Sequence, residues 1–418
     1  MGVGIFSDPT KYNTPSNKAL AFLKSQMRST PAGLNGRLPV SYLITGSGDP
    51  GFNNPPTAKV KDRCWIYDTG LALLVFTASG DYSFCQSIMN RLVGLQNTSV
   101  PSSNPIYGSF DDSYDFKTGK VGGVDIHTGN MGWLVWGMCY YALKSGNHSY
   151  NAMIEKAGGW LLNQEIKNNP NYPNQNGLLK FGYTYINGNY VEFSDRRVST
   201  EHQCSALQAL QGLAALFPND TRYAVTAANV KAWFMPTKGL WNESVPNNKR
   251  YNEGYNNTDR ALDCTTWAGA TVMSLSIPNP QEARNIASAC RSTAARIKNF
   301  LVMNENIGES YNGHQPLSSP VTGFKAYPPQ SLIWTEGTLG YIHLCMLLGE
   351  NDEAINYMDN TIKLQNCTGS TGGIIYATKN SGEFQVRECV VSSAWLYLLI
   401  NNPNILFPNL TNFRITGL

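Results

Sequence analysis

Six stretches of this chain set a carboxylate at or near the first turn of an apolar run. They are Trp65-Ile66-Tyr67-Asp68, Asp125 with His127-Thr128-Gly129-Asn130, Thr200-Glu201-His202, Leu262-Asp263-Cys264, Trp334-Thr335-Glu336-Gly337 and Arg387-Glu388-Cys389. An acid there has a plain structural use, because it complements the helix dipole and caps free N–H groups. Thr200-x-x-Gln203 is itself a capping box. These acids, however, keep company with Trp65, Tyr67, Trp133, Trp267, Trp334 and Trp395. Indole faces can stack on sugar rings, and burial beside them raises the pKa of a carboxyl group. One neutral carboxylic acid and one ionised carboxylate form the pair that cleaves a glycosidic bond. Core packing is the bland alternative for the tryptophans.

Such acids cooperate only if six distant segments meet, and the hydrophobic pattern supplies the means. Apolar runs begin near residues 65, 129, 200, 263, 332 and 390, a period of about 60–70 residues that marks a repeat architecture. Each run is apolar nearly all round, the mark of a helix buried on every side. Each but the last is followed by an amphipathic helix, as over 150–166, 281–300 or 352–364. A further helix is expected over 17–27, capped by Ser16 and preceded by a surface lead-in over 1–16. The expected fold is therefore all-α, a closed (α/α)6 toroid of six inner and six outer helices, with residues 1–418 as one domain. Alternation around Asn187-Gly188-Asn189 predicts a small β-hairpin insertion near 178–193. The long polar loops all precede inner helices, whereas inner-to-outer links such as Ala78-Ser79-Gly80-Asp81 are short. The inner N-termini thus share one elaborated face, the usual place for a site.

Composition narrows the partner. The 418 residues are 42% hydrophobic and 15% charged, with a formal charge of +3. Nucleic acids and anionic membrane surfaces call for dense Lys/Arg fields, and none appears, so a neutral carbohydrate substrate fits better. No run of about 20 apolar residues could span a bilayer. The start, Met1-Gly2-Val3-Gly4-Ile5-Phe6, has no signal-peptide pattern as written, which leaves a cytoplasmic protein or one whose leader has been removed. Nine cysteines are scattered through apolar runs without a Cys-x-x-Cys pair, which reads as buried thiols, with no metal and no cofactor expected.

Taken in order, Tyr67-Asp68-x-x-Leu71-Ala72, Thr128-Gly129-Asn130-x-x-Trp133, Ser199-Thr200-Glu201-His202, Leu262-Asp263-x-x-x-Trp267, Trp334-x-Glu336-Gly337-Thr338 and Ser392-Ser393-Ala394-Trp395 resemble six-hairpin (α/α)6 glycosidase-type proteins. The resemblance covers nearly the whole chain and implies a glycoside hydrolase, of the inverting type, acting on a neutral glucan or oligosaccharide. It makes Glu201 the general acid and Asp125 or Asp68 the base. Asp263 and Glu336 would hold sugar hydroxyls or serve as the alternative pair, while Trp65, Tyr67, His127, Asn130, Trp133, His202, Trp267 and Trp334 would line the substrate site. The loop acids Asp111, Asp112 and Asp115 also remain open as the base, since an inverting site leaves about 6.5–9.5 Å between its carboxyls. One departure stands out: Ser205 occupies the place where similar sequences often carry Asp. Related toroids include polysaccharide lyases and sugar epimerases, and a non-catalytic carbohydrate-binding toroid is a further alternative. A lyase wants a basic cleft, and Arg196, Arg197, Arg260 and Arg387 are few and scattered.

Overall fold

Helices that are apolar on every side must be surrounded by others, and that requirement organises this molecule. The computed structural model describes residues 5–6, 8–31, 33–44, 60–194, 198–243, 249–275, 279–295, 300–305, 319–366 and 371–408. Twelve α-helices stand among them: α1 (Pro9–Gln26), α2 (Ile66–Ala78), α3 (Tyr82–Val93), α4 (Thr128–Ser145), α5 (Asn151–Asn163), α6 (Thr200–Leu216), α7 (Thr221–Ala232), α8 (Leu262–Ser274), α9 (Pro280–Ala294), α10 (Thr335–Leu348), α11 (Asn351–Asn366) and α12 (Val390–Asn401). The even-numbered helices form the inner ring. Each packs on the next, and α12 returns to α2 to close the circle. Each odd-numbered helix from α3 to α11 lies outside its predecessor, while α1 packs on α12 and so completes the last pair from the opposite end of the chain. The fold is the expected (α/α)6 toroid.

Side-chain pattern explains the two layers. In α10 and α12 nearly every residue is buried. In the outer helix α3 burial falls on Cys85, Ile88, Met89, Arg91 and Leu92, a single stripe at helical spacing. Close approach within the inner ring depends on glycine. A Cβ on Gly70 would lie 2.5 Å from the Trp133 carbonyl oxygen, and one on Gly137 would lie 2.5 Å from that of Gly70.

The first residue of each inner helix ties the ring's loops together. The amide of Ile66 donates to Asp112 O, Thr128 to Phe181 O, Thr200 to Glu253 O, Leu262 to Ala326 O, Thr335 to Tyr376 O and Val390 to Ser41 O, all at 2.8–3.0 Å. Each acceptor belongs to the loop that leads into the next inner helix, and the last bond returns to the loop before α2. An N-terminal helix amide has no partner inside its own helix, so every bond satisfies one such donor while pinning a loop over the mouth of the toroid.

Those loops carry short antiparallel strands: β1 (Arg63–Trp65), β2 (Ser113–Asp115), β3 (Val121–Gly123), β4 (Ile126–His127), β5 (Gly182–Ile186), β6 (Asn189–Glu192), β7 (Trp241–Asn242), β8 (Arg250–Tyr251), β9 (Leu301–Glu305), β10 (Val321–Phe324), β11 (Ile374–Ile375) and β12 (Glu388–Cys389). The sheets are β1-β2-β3, β4-β5-β6, β7-β8, β10-β9 and β11-β12. The expected hairpin is β5-β6, turning at Asn187-Gly188 with both φ angles positive, which matches its Asn-Gly sequence. It is not an isolated tongue, because β4 adds a third strand and anchors it to the start of α4.

Two boundaries differ from the sequence expectation. The first helix begins at Pro9, not Asn17, and its cap is Asp8, whose carboxylate accepts from the amides of Thr10 and Lys11. Pro9 suits a first helical turn, and Pro15 is accommodated inside the helix, so the proline-rich lead-in is helical from residue 9. The helix expected to reach Phe300 ends at Ala294. The eight described cysteines are buried free thiols.

Candidate functional site

Because the inner helices start at one face, their second residues form a ring: Tyr67, Gly129, Glu201, Asp263, Glu336 and Val391. Five of these six line a two-lobed cleft over the toroid axis. The smaller lobe, about 250 Å³, is bounded by Glu201, Asp263, Trp267, Tyr327, Trp334 and Phe384. The larger, about 660 Å³, is bounded by Tyr42, Trp65, Asp68, Gln385 and Val391. Tyr67, Asn130, Glu336, Tyr376 and Glu383 belong to both lobes and mark their junction.

The floor comes from the sixth residue of every second inner helix. Trp133, Trp267 and Trp395 hold these positions in α4, α8 and α12, with ring centroids 5.6–5.9 Å apart. Phe407, in the segment after α12, packs against all three. Its backbone φ of +48° is unusual for a bulky side chain and is held by this packing and by a bond from its amide to Gln208. Trp133 is completely buried in this floor, so the role expected for it as a sugar contact is corrected to one of core support. Trp65, Trp267 and Trp334 do reach the cleft wall.

Glu201 is the most closely held acid. Ser205, one turn on in α6, donates from Oγ to Glu201 Oε1 at 2.9 Å. On the other side, His202 Nε2 lies 3.3 Å from Oε2. Burial raises the Glu201 carboxyl to about 8, helped by the nearby charge of Asp263 and opposed by the Ser205 hydroxyl and His127. Asp263 accepts the Cys264 amide at 2.7 Å and is raised, again by burial, only to about 6. Asp68 reaches about 7 through burial, with a hydrogen bond from Ser41 pulling the other way. Burial also lifts Glu336 well above the usual carboxylate range, and Tyr67 donates its hydroxyl to Glu336 Oε1. Trp395 Nε1 in turn donates to the Tyr67 oxygen at 3.4 Å.

Several expected site residues lie elsewhere. Asp125 is absent from both cleft walls; it precedes β4, and its backbone carbonyl accepts the Asp112 amide at 2.9 Å. His127 and His202 are not among the residues that line either lobe. His127 Nδ1 pairs with Asp112 Oδ2, and its ring lies 5.9 Å from that of His202. Asp111 accepts from Tyr190 at 2.6 Å, and Asp115 caps its own turn through Lys117 and Thr118. Arg260 and Arg387 do not line the cleft, and Arg196 and Arg197 lie outside the described residues.

Sequence reasoning missed Tyr42, Tyr327, Tyr376, Glu383 and Phe384. All come from the loops ahead of inner helices. Glu383 and Phe384 sit in the link between β11 and β12, and Tyr376 supplies the carbonyl that receives the Thr335 amide. Their only sequence signal was membership of the elaborated face.

No protein-family model matches the chain, and no curated protein matches it. Solved structures do share its fold. A variant of a glycosidase in complex with glucose has a TM-score of 0.61 at 11% identity, over 96% of this chain and 99% of that one. A D-mannose isomerase gives 0.60 at 10% identity, over 94% and 98%. A GH76 alpha-mannanase from Bacteroides thetaiotaomicron gives 0.56 at 11% identity, over 96% and 98%. At such identities the likeness is one of fold: the six-hairpin toroid on which glycosidases and a sugar isomerase are built.

Proposed function

We propose that this protein is a glycoside hydrolase acting on a neutral oligosaccharide or glucan, with Glu201 as general acid and Asp263 as general base. One observation carries the reading. Of the four carboxyl groups that line the small aromatic-walled lobe, Glu201 and Asp263 have environments that push one to about 8 and the other to about 6. Near neutral pH, Glu201 is protonated and Asp263 ionised, the division of labour that bond cleavage needs. Glu201 gives its proton to the glycosidic oxygen as the bond to the anomeric carbon breaks. Asp263 takes a proton from water, whose oxygen bonds to that carbon from the opposite face. Glu336 and Tyr67, at the junction of the lobes, hold sugar hydroxyls, and Trp65 and Trp334 face the rings.

The wall chemistry supports a neutral substrate over an anionic one. Asp68, Glu201, Asp263, Glu336 and Glu383 all line the cleft, and among its described lining residues there is no Lys or Arg. A uronate polymer would meet repulsion without a compensating cation, which disfavours a lyase. Isomerisation at a sugar carbon calls for histidines on the wall, whereas neither His127 nor His202 lines either lobe.

The test is release of reducing ends from a panel of neutral glucans and mannans, with Glu201→Gln and Asp263→Asn alongside. Loss of a positioned proton donor lowers kcat by about 10²–10⁴-fold. Full activity in Glu201→Gln defeats the assignment, and binding without turnover in the unmodified protein points to the non-catalytic alternative. Inversion at the anomeric carbon, read by NMR of the first product, checks the base role of Asp263.

A further inference from the structure

From Glu201 a line of polar side chains runs through His202 and His127 to Asp112. His202 Nε2 faces Glu201 Oε2 at 3.3 Å, and its ring lies 4.3 Å from that of Phe181. The next ring is His127, 5.9 Å away, stacked on Phe193 and edge-on to Phe181. His127 Nδ1 pairs with Asp112 Oδ2, while Asp112 Oδ1 accepts the His127 amide at 3.2 Å and Asn130 Nδ2 at 2.9 Å. The carboxylate is therefore fixed from three directions. Gly129 makes the close approach possible, since a Cβ there would sit 2.4 Å from His202 Cδ2 and 3.1 Å from Glu201 Oε2. The His127 side chain keeps 22% of its surface open.

Building on the reading of Glu201 as general acid, we infer that Asp112, His127 and His202 are positioning residues for it, and that the charge on His127 sets how readily Glu201 gives up its proton. A carboxylate held against imidazole favours the cationic form, and a cation near an acid favours the acid's ionised form. Burial alone would strip the proton from His127, but Asp112 outweighs it and raises the group above its ordinary value. Glu201 experiences His127 as a lowering influence. Among the described residues, the other groups facing Glu201 are Asp263 from α8, Glu336 from α10, Tyr67 from α2 and the thiols of Cys204 and Cys264. Those facing His127 are Asp112 and Asp125 ahead of α4, with Glu201 and His202 from α6. Of these, only His127 and His202 can contribute positive charge to Glu201.

The test uses the full chain as wild type, His127→Gln, Asp112→Asn and the double variant. Two readouts are taken: the pH dependence of kcat/KM, and pH-difference infrared spectra of the Glu201 carboxyl band, identified by its loss in Glu201→Gln. Removing the cation, or the carboxylate that retains it, moves the basic limb and the infrared midpoint upward by roughly half a unit to one unit. The double variant moves no further than His127→Gln alone, because without Asp112 the imidazole is neutral and no cation is left for the second change to remove. A rate lowered equally at every pH with both midpoints unmoved overturns the inference, as does a downward shift. If the protein hydrolyses no glycan, the infrared midpoint still decides the coupling, so failure of the hydrolase reading is distinct from failure of this one. Asp112→Asn keeps the shape of the side chain and serves where His127→Gln does not fold.

Discussion

Ser205 illustrates how much one atom can matter at this site. Where the resemblance implies Asp, it offers a hydroxyl that donates to Glu201 Oε1 while remaining fully buried. A carboxylate in its place would set two acids against one another; the hydroxyl adds no charge and leaves Glu201 as the acid of α6. The proposed division between Glu201 and Asp263 makes two measurable statements. The kcat/KM profile should be bell-shaped, with the acidic limb governed by Asp263 at about 6 and the basic limb by Glu201 at about 8. Replacing Glu201 by Gln should remove the basic limb along with most of the rate. Stability carries the same signature. The folded chain holds the Glu201 proton up to about 8, whereas the free carboxyl releases it near 4.5, so that proton's contribution is complete below 4.5 and fades as pH rises through 8. The melting temperature of Glu201→Gln should therefore fall less than that of wild type between about pH 5 and about pH 9, and an identical fall in both would remove Glu201 from the account.

At the scale of elements, the inner helices do two jobs through different positions. Their first residues lock loops around the ring, five of their six second residues line the cleft, and three of their sixth residues build its floor. Glycine sets how near the helices lie. A Cβ at position 137 would approach the Gly70 carbonyl to 2.5 Å, and backbone cannot yield as a side chain can. Gly137→Ala should cost about 1–3 kcal/mol in denaturant unfolding despite the better helix propensity of alanine. A neutral or stabilising result would mean that α2 and α4 separate freely. The apolar periodicity made these helices legible, since a pattern sustained for three or four turns survives local exceptions. The strands were largely illegible because most span only two to five residues, too few for alternation to stand out.

For the molecule as a whole, the termini complete the ring. The first helix supplies the outer partner of the last inner one, and the segment after α12 sends Phe407 up into the bore beneath the three tryptophans. Phe407→Ala should destabilise the protein by about 3–5 kcal/mol and disturb the fluorescence of the tryptophan floor. An unchanged melting temperature would show that the floor stands without this plug.

The order of helices, the ring and the polar face could be reached from residues alone, because period and polarity are local and repeat six times along the chain. The place of Glu201 at the cleft was legible for a related reason: it sits in an N-terminal turn at one of six equivalent starts. The partner proposed for it was not. Asp125, Asp68, Asp263 and Glu336 have comparable places in the linear pattern, and which of them faces the axis depends on where each loop is pinned across the ring. The same holds for Trp133, a wall residue by composition and a floor residue by packing, and for Glu383, which nothing but the fold of its loop brings to the cleft. Periodicity determined which segments meet; long-range hydrogen bonds and burial decided which atoms do, and with what charge.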